Sequence, residues 1–408
     1  MIGFGWGYVV SAFRRTVIRI VLKGVDMRKT MLFLAAMMLL VPMAVVHTQA
    51  PPQATQVVNG AVAPALRNPP PTLDIYSIDT EGGKATLYVS PTGQTLLFDT
   101  GTGGDNERDA DRITDLIKKV AVEPQLDHVV VSHYHGDHVG NAAELTKRFP
   151  VRHFYDHGAW TVEGQTNRRT AFDNYLPVRA TAHATVPKPG TKIPVTGFDF
   201  TVVSNAGELI TSAVPGMTGA GAPNPLCRDF VPRVQDATPE NAEALGAVVK
   251  YGNFRVVDLS DLIWNMEKDL VCPNNLLGTA DVYFTSRHGT DWAGNPVMVH
   301  AVRPRVAIMN NSPRKGGTAE TFKIVKSSPG LLDFWQIHYS ENVSKETNSP
   351  EQFIANMDAT PTNHKAYYIK LSARTDGSFT ITNERTGFTK EYPAVKSAGS
   401  PSASAARP

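Results

Sequence analysis

The sequence predicts a layered α/β fold, four layers with strands sandwiched between helices, ending in a C-terminal β-hairpin. Three observations predict it. Strand-like stretches come first, from Leu73; strands and amphipathic helices then alternate; and after Glu240 that alternation returns. This order fits packed sheets with helical covers better than an all-β chain.

The elements follow in turn. "LDIYSID" and "ATLYVS" alternate apolar and polar residues around Glu81-Gly82-Gly83, which reads as two strands and a tight turn. "TLLFDTGTGG" is a third strand running into a glycine-rich loop. In "RDADRITDLIKKVAV", Ile113, Leu116, Ile117 and Val120 recur at helical spacing. "LDHVVVSH" is a short, nearly continuous apolar strand, the kind covered on both faces. A helix near Ala142 to Arg148 and the strand "VRHFYD" follow. Residues Gly158 to Asp236 carry scattered strand signals among many Gly and Pro and give no firm parse. "LGAVVKYG", "FRVVDLSD", "DVYFTSRHG" and "RVAIMNN" are the later strands, and "AYYIKLSARTDGSFTITN" is a hairpin turning at Asp376-Gly377.

The chain has 408 residues, 42% hydrophobic and 19% charged, enough for one large domain or two small ones. A formal net charge of +2 creates no field that would argue for nucleic acid or an anionic membrane as partner. The expected domains are an upstream extension plus signal peptide over 1–50, a Pro-rich linker over 51–71, a folded unit over 72–392 and a disordered tail over 393–408. "MRKTMLFLAAMMLLVPMAVVHTQA" has basic residues, an apolar stretch and a small-residue end at Ala50, so export with cleavage there is expected, with Met27 as initiator. The alternative is an uncleaved membrane anchor. Against it, the run Met31 to Val46 is 16 residues and is broken by Pro42, whereas a spanning helix needs about 20. Export permits a bridge between Cys227 and Cys272, the only two cysteines; two buried free thiols are the other reading.

The chemistry concentrates in "HVVVSHYHGDHVGN". His133, His135, Asp137 and His138 follow a buried strand directly, at the strand end where α/β folds place their sites. His133 and His135 can converge on one ion, and Asp137 and His138 can turn toward a second, with Gly136 permitting the tight loop. Imidazole nitrogen and carboxylate oxygen suit zinc, and three such ligands with an open position make a catalytic site. Further ligands should lie at later strand ends, where His288 and the pair Asp258 and Asp261 are candidates.

The HxHxDH motif resembles that of the metallo-β-lactamase superfamily, and within it the chain is most similar to the ComEC-like branch, named for the hydrolase domain of competence DNA-uptake proteins. The resemblance rests on "IDTEGGKATLYVS" with "LLFDTG", on "ENAEALGAVVKYGNFRVVDLSDLIWNMEKDL", and on "SRHG" with "RPRVAIMNN", in the family's order from about Leu73 to Asn311. It implies a four-layer αββα sandwich and two divalent metal ions, zinc before manganese or iron. The implied ligands are His133, His135, Asp137, His138, Asp261 and His288, with Asp261 bridging and Asp137 also steering a proton. Asp99 would orient a histidine ligand.

Three departures stand out. Ser260 and Arg287 replace a usual Gly and a usual His, and no histidine lies between His183 and His288, where the family normally completes its first metal site. Either His157 substitutes there or His133, His135 and Asp261 hold that ion alone. The implied activity is hydrolysis of a phosphodiester or other ester by a metal-bound hydroxide; the alternatives are a lactone or β-lactam substrate, or a secreted binding module without catalysis. Arg314 and Lys315, in "NNSPRKGG", either cradle a phosphate or form an exposed turn. Asp137 and Asp261 are thus the expected catalytic residues. The partner is a small-molecule or phosphodiester substrate; no basic-aromatic run marks a nucleic-acid track, cleavage would leave no membrane contact, and oligomeric state is unreadable.

Overall fold

The chain fills one sheet, crosses to a second, and returns to close the first. A computed structural model describes residues 71–104, 107–161, 169–234, 239–358 and 366–395, all within the compact unit Leu66–Pro408. The expected signal peptide, nearly all of the linker and the tail from Lys396 lie outside the described residues.

The first sheet takes β1 (Leu73–Ser77), β2 (Thr86–Val89), β3 (Thr95–Phe98), β4 (Leu126–Val130), β5 (Val151–Tyr155) and β6 (His183–Thr185). The second takes β7 (Lys192–Ile193), β8 (Asp199–Asn205), β9 (Glu208–Leu209), β10 (Gly246–Tyr251), β11 (Phe254–Asp258), β12 (Val282–Phe284), β13 (Val306–Met309), β14 (Asp333–His338) and β15 (Ile354–Asn356). β16 (Ile369–Ala373), β17 (Phe379–Asn383) and β18 (Thr389–Tyr392) then pair back onto β1, so the predicted hairpin adds strands to the first sheet's edge. Neighbours from β3 to β6 run parallel, as do those from β11 to β15. Parallel strands point all their carboxyl ends one way, and there the chemistry-bearing loops gather.

Period-two alternation explains the layers. On β3, Leu96 and Phe98 enter the core between the sheets while Leu97 faces the helices outside; on β11, Val256 and Val257 divide in the same way. Outside the first sheet pack α1 (Arg108–Val120), α2 (Gly136–Val139), α3 (Ala142–Arg148) and α4 (Thr170–Arg179); outside the second pack α5 (Trp264–Asp269), α6 (Pro296–Val302) and α7 (Ala319–Lys326). This is the expected αββα sandwich. Helix α1 shows why: Ile113, Leu116 and Ile117 are buried on one face, each contributing roughly 1.5–3 kcal/mol, and acidic first and basic last turns suit the helix dipole.

Cys227 and Cys272 are joined (S–S 2.03 Å), which decides between the bridge and two free thiols. No helix among the described residues is long and apolar enough to cross a membrane.

Candidate metal centre

Strand β4 is followed by buried Val131 and Ser132, and the next six residues form the HxHxDH loop. Its backbone is pressed against the glycine-rich loop after β3. A Cβ on Gly140 would lie 2.1 Å from Gly103 N and 2.1 Å from Gly136 O, so no larger residue fits there. The carboxyl end of β11 contributes Asp261, that of β12 contributes His288, and the loop after β13 wraps behind His288 so closely that a Cβ on Gly316 would meet His288 O at 1.8 Å.

Each histidine is oriented by what its Nδ1 touches. His138 Nδ1 donates to Asp99 Oδ2 at 2.9 Å, and His288 Nδ1 donates to the Asn310 carbonyl at 3.1 Å. Ser132 Oγ gives its own proton to Asp99 (2.9 Å) and accepts from His133 Nδ1 at 3.0 Å. Each of these contacts suits a proton on Nδ1 and turns Nε2 inward; in the neutral ring that is the tautomer a metal ligand needs. His138 Nε2 lies 3.3 Å from His288 Nε2, 3.4 Å from Asp137 Oδ2 and 3.4 Å from Asp261 Oδ1. His288 Nε2 lies 3.2 Å and 3.5 Å from the same two carboxylate oxygens. Two groups of donor atoms therefore converge within 4.8 Å: His133, His138 and Asp261, and Asp137, His138 and His288.

Burial governs the electrostatics. It lowers His133 well below the ordinary imidazole range and lowers His135 too. Burial acts the same way on His138, but the carboxylates of Asp261, Asp137 and Asp99 outweigh it and raise that imidazole. Asp137 and Asp261 resist the upward push of burial because Lys315 and His138 hold the first, and His138 and His288 the second, well below the carboxylate range. A pocket this rich in inward lone pairs and ionised carboxylates suits divalent cations.

Residues 78–203 match the family model described as the metallo-beta-lactamase superfamily. The matched segment is similar to that superfamily and spans less than half of the chain. The match holds the HxHxDH loop and ends before Asp261 and His288, so those two rest on geometry alone. Among solved structures, the metallo-beta-lactamase fold protein YhfI from Bacillus subtilis is 13% identical, with 65% of this chain and 95% of that one covered at a TM-score of 0.39. The metallo hydrolase Igni18 from Ignicoccus hospitalis is 13% identical, covering 64% and 94% at 0.37. CmlA, a diiron beta-hydroxylase from Streptomyces venezuelae, is 13% identical, covering 65% and 48% at 0.35. A search of curated proteins finds no match.

His135, Asp137 and Asp261 open onto a cavity of about 710 Å³, whose wall also includes Asn241, Arg287 and Lys315. Lys315 Nζ pairs with Asp137 Oδ2 at this wall. Three sequence candidates stand elsewhere. His157 is buried behind the loop, with its Nε2 2.7 Å from Glu240 Oε1, which also accepts from Tyr134 N. Asp258 pairs with buried Lys84 at 3.0 Å, and burial raises its carboxyl. Arg314 points out of the cavity and pairs with Glu341 at 2.7 Å.

Sequence reasoning missed Asn241 and the inward turn of Arg287. With its amide nitrogen toward the histidines, Asn241 donates to His135 Nδ1 (2.8 Å) and His133 Nε2 (3.2 Å), while its oxygen accepts from Arg287 Nε (2.8 Å) and Nη2 (3.0 Å). The signal was an Asn before the β10–β11 pair, present in the resemblance but given no role. A third group of donors among the described residues, Asp79, Glu81 and His338, is already crossed by Arg112, at 3.3 Å from Asp79 and 3.1 Å from Glu81.

Proposed function

We propose that this domain is a metal-dependent hydrolase of the ComEC-like branch, holding two divalent ions and cutting an anionic ester, a phosphodiester before others. The observation that carries it is the convergence of His138 Nε2, His288 Nε2, Asp137 Oδ2 and Asp261 Oδ1 beside His133 and His135, with Nδ1 of His138 and of His288 engaged on the far side. His133 and His135 would hold the first ion, Asp137, His138 and His288 the second, with Asp261 between them. Ions there would lower the pKa of a bound water and polarise the ester.

The remaining residues position and compensate. Asp99 fixes the His138 ring, and the Asn310 carbonyl fixes His288. Lys315 and Arg287 give the cavity wall two cations, which suits a phosphoryl group whose negative charge develops during attack. Asp137, a ligand of the second ion that also pairs with Lys315, would steer the proton of the attacking water. Zinc is the first metal to test, with manganese and iron suited to the same donors. We also propose export, which the Cys227–Cys272 bridge supports because disulfides persist in oxidising compartments.

The test is metal content of the purified chain by plasma mass spectrometry, followed by phosphodiester, lactone and β-lactam substrates. About two ions and phosphodiester turnover that Asp261→Ala abolishes are expected. Turnover at the parental rate in Asp261→Ala would remove the bridging role. A chain that takes no ion after reconstitution would leave the non-catalytic binding module as the better reading.

A further inference from the structure

The first ion lacks its usual third histidine, and the side chain that occupies the gap is Asn241. It is 1% exposed and comes from the segment leading into β10. One end of its carboxamide lies 2.8 Å from His135 Nδ1 and 3.2 Å from His133 Nε2, and those two nitrogens are 2.9 Å apart. Ligands on one tetrahedral ion at 2.0–2.1 Å are separated by about 3.3 Å. The three atoms thus stand near the spacing of a shared coordination sphere.

The amide can be satisfied in two ways. With its NH2 toward the rings, it donates to the histidines and its oxygen accepts two bonds from the Arg287 guanidinium. With a cation between the rings, the imidazole lone pairs are engaged and the amide must present oxygen instead. Its NH2 then faces the guanidinium, donor against donor, and Arg287 has to leave. Arg287 already lines the cavity alongside Lys315, so the direction open to it is toward the substrate.

We propose that Asn241 is the third donor to the first ion, and that its amide flip turns Arg287 toward an anionic group of the substrate. Asn241 is thereby a relay as well as a ligand. Filling the first metal position strengthens anion binding, and by linkage an anion strengthens the first ion's binding by the same factor. This rests on the two-ion reading above. An amide oxygen is also a harder donor than imidazole, so the first position leans toward Mn2+ relative to a three-histidine site.

The experiment is titration of the full chain with Mn2+, followed by the paramagnetic signal of free Mn2+, with and without inorganic phosphate. The parent should bind two ions, and phosphate should tighten the weaker one severalfold. Asn241→Ala should weaken that ion roughly tenfold or more and leave the other within twofold, which also reports that the variant is folded. Asn241→His should restore or exceed parental affinity and abolish the phosphate effect. Arg287→Ala should keep both ions and lose the phosphate effect. Two ions held by Asn241→Ala at parental affinity would overturn the ligand role. A phosphate effect undiminished in Arg287→Ala would overturn the relay. If the parent itself binds no Mn2+ or Zn2+, the two-ion reading falls, and this inference falls with it.

Discussion

Asp99 Oδ2 lies 2.9 Å from His138 Nδ1, with both side chains fully buried, and the same oxygen accepts from Ser132 Oγ at 2.9 Å while Oδ1 takes the Ser132 amide at 2.7 Å. One carboxylate thus sets the tautomer of His138 and, through Ser132, the orientation of His133. Asp99→Asn should therefore weaken metal binding by about 10–100-fold while the fold persists. Chelator competition checks the first statement and a thermal melt the second. An unchanged metal affinity would mean that the rings are oriented by packing alone.

Much of this centre was legible because its residues are contiguous or sit at predictable places. The HxHxDH loop lies within six positions after an apolar strand, and Asp261 and His288 follow strand-like runs. What was hidden depends on loop backbone and on long-range contact. Arg314 and Lys315 are neighbours on one turn, yet only Lys315 reaches the cavity, because successive turn residues diverge. Lys84 follows two glycines in a turn, where solvent is the usual expectation, but it is 4% exposed over the Phe98 ring and paired with Asp258. His157, at a strand end, was open to two readings, a substitute ligand or an ordinary buried histidine; its partner Glu240, 83 residues away, favours the second. The unparsed stretch holds β6, β7 and β9, each two or three residues long, and α4, which contains Pro177. Strands that short show no period, and α4, ten residues long, has a proline within it and buries only Phe172 and Tyr175.

The Cys227–Cys272 bridge closes a loop of 45 residues in sequence separation and packs against the helical side of the second sheet. Chain entropy assigns such a loop about 4 kcal/mol. The double variant Cys227→Ser, Cys272→Ser should lose a large part of that in urea unfolding, and reductant should destabilise the parent but not the variant. Equal stability of parent and variant in oxidising buffer would show that the bridge does not restrict the unfolded chain as argued.

Two buried groups should give the fold opposing pH dependences. His128 is cross-strand from His153, and His153 from His183, with ring centroids 5.7 Å and 5.4 Å apart along the ladder. Burial pushes His128 down to about 4, outweighing Asp127 beside it. Its unfolded value is about 6.5, so between these limits the unfolded chain binds more protons, and the fold loses stability as pH falls. His128→Leu should remove that loss on acidification and leave a net fall in stability as pH rises from about 4.5 to 6.5, measured by urea unfolding. An identical acid slope in parent and variant would assign the effect to other groups.

Glu267 works in the opposite direction. It is buried, its Oε1 accepts from Ser286 Oγ at 2.6 Å, and its Oε2 accepts from the amides of Gly294 (2.7 Å) and Asn295 (3.1 Å). Burial raises its carboxyl to about 7, against those hydrogen bonds. From about pH 4.5 to 7 the folded chain binds more protons, so stability falls as pH rises and levels off above. Across pH 4.5 to 6.5 this slope opposes that of His128, and the parent profile should be flatter than either single variant's. Glu267→Gln keeps an acceptor for the two amides and a donor for Ser286, so it should remove the fall without a large loss at neutral pH. Glu267→Ala strands two buried amides and should lose about 2–4 kcal/mol. Because Ser286 opens the turn that carries His288, Glu267→Ala should also weaken the second ion, and Glu267→Gln should not. The same pH slope in the parent and Glu267→Gln would refute the buried-carboxyl assignment, and an unaltered second ion in Glu267→Ala would separate this anchor from the metal centre.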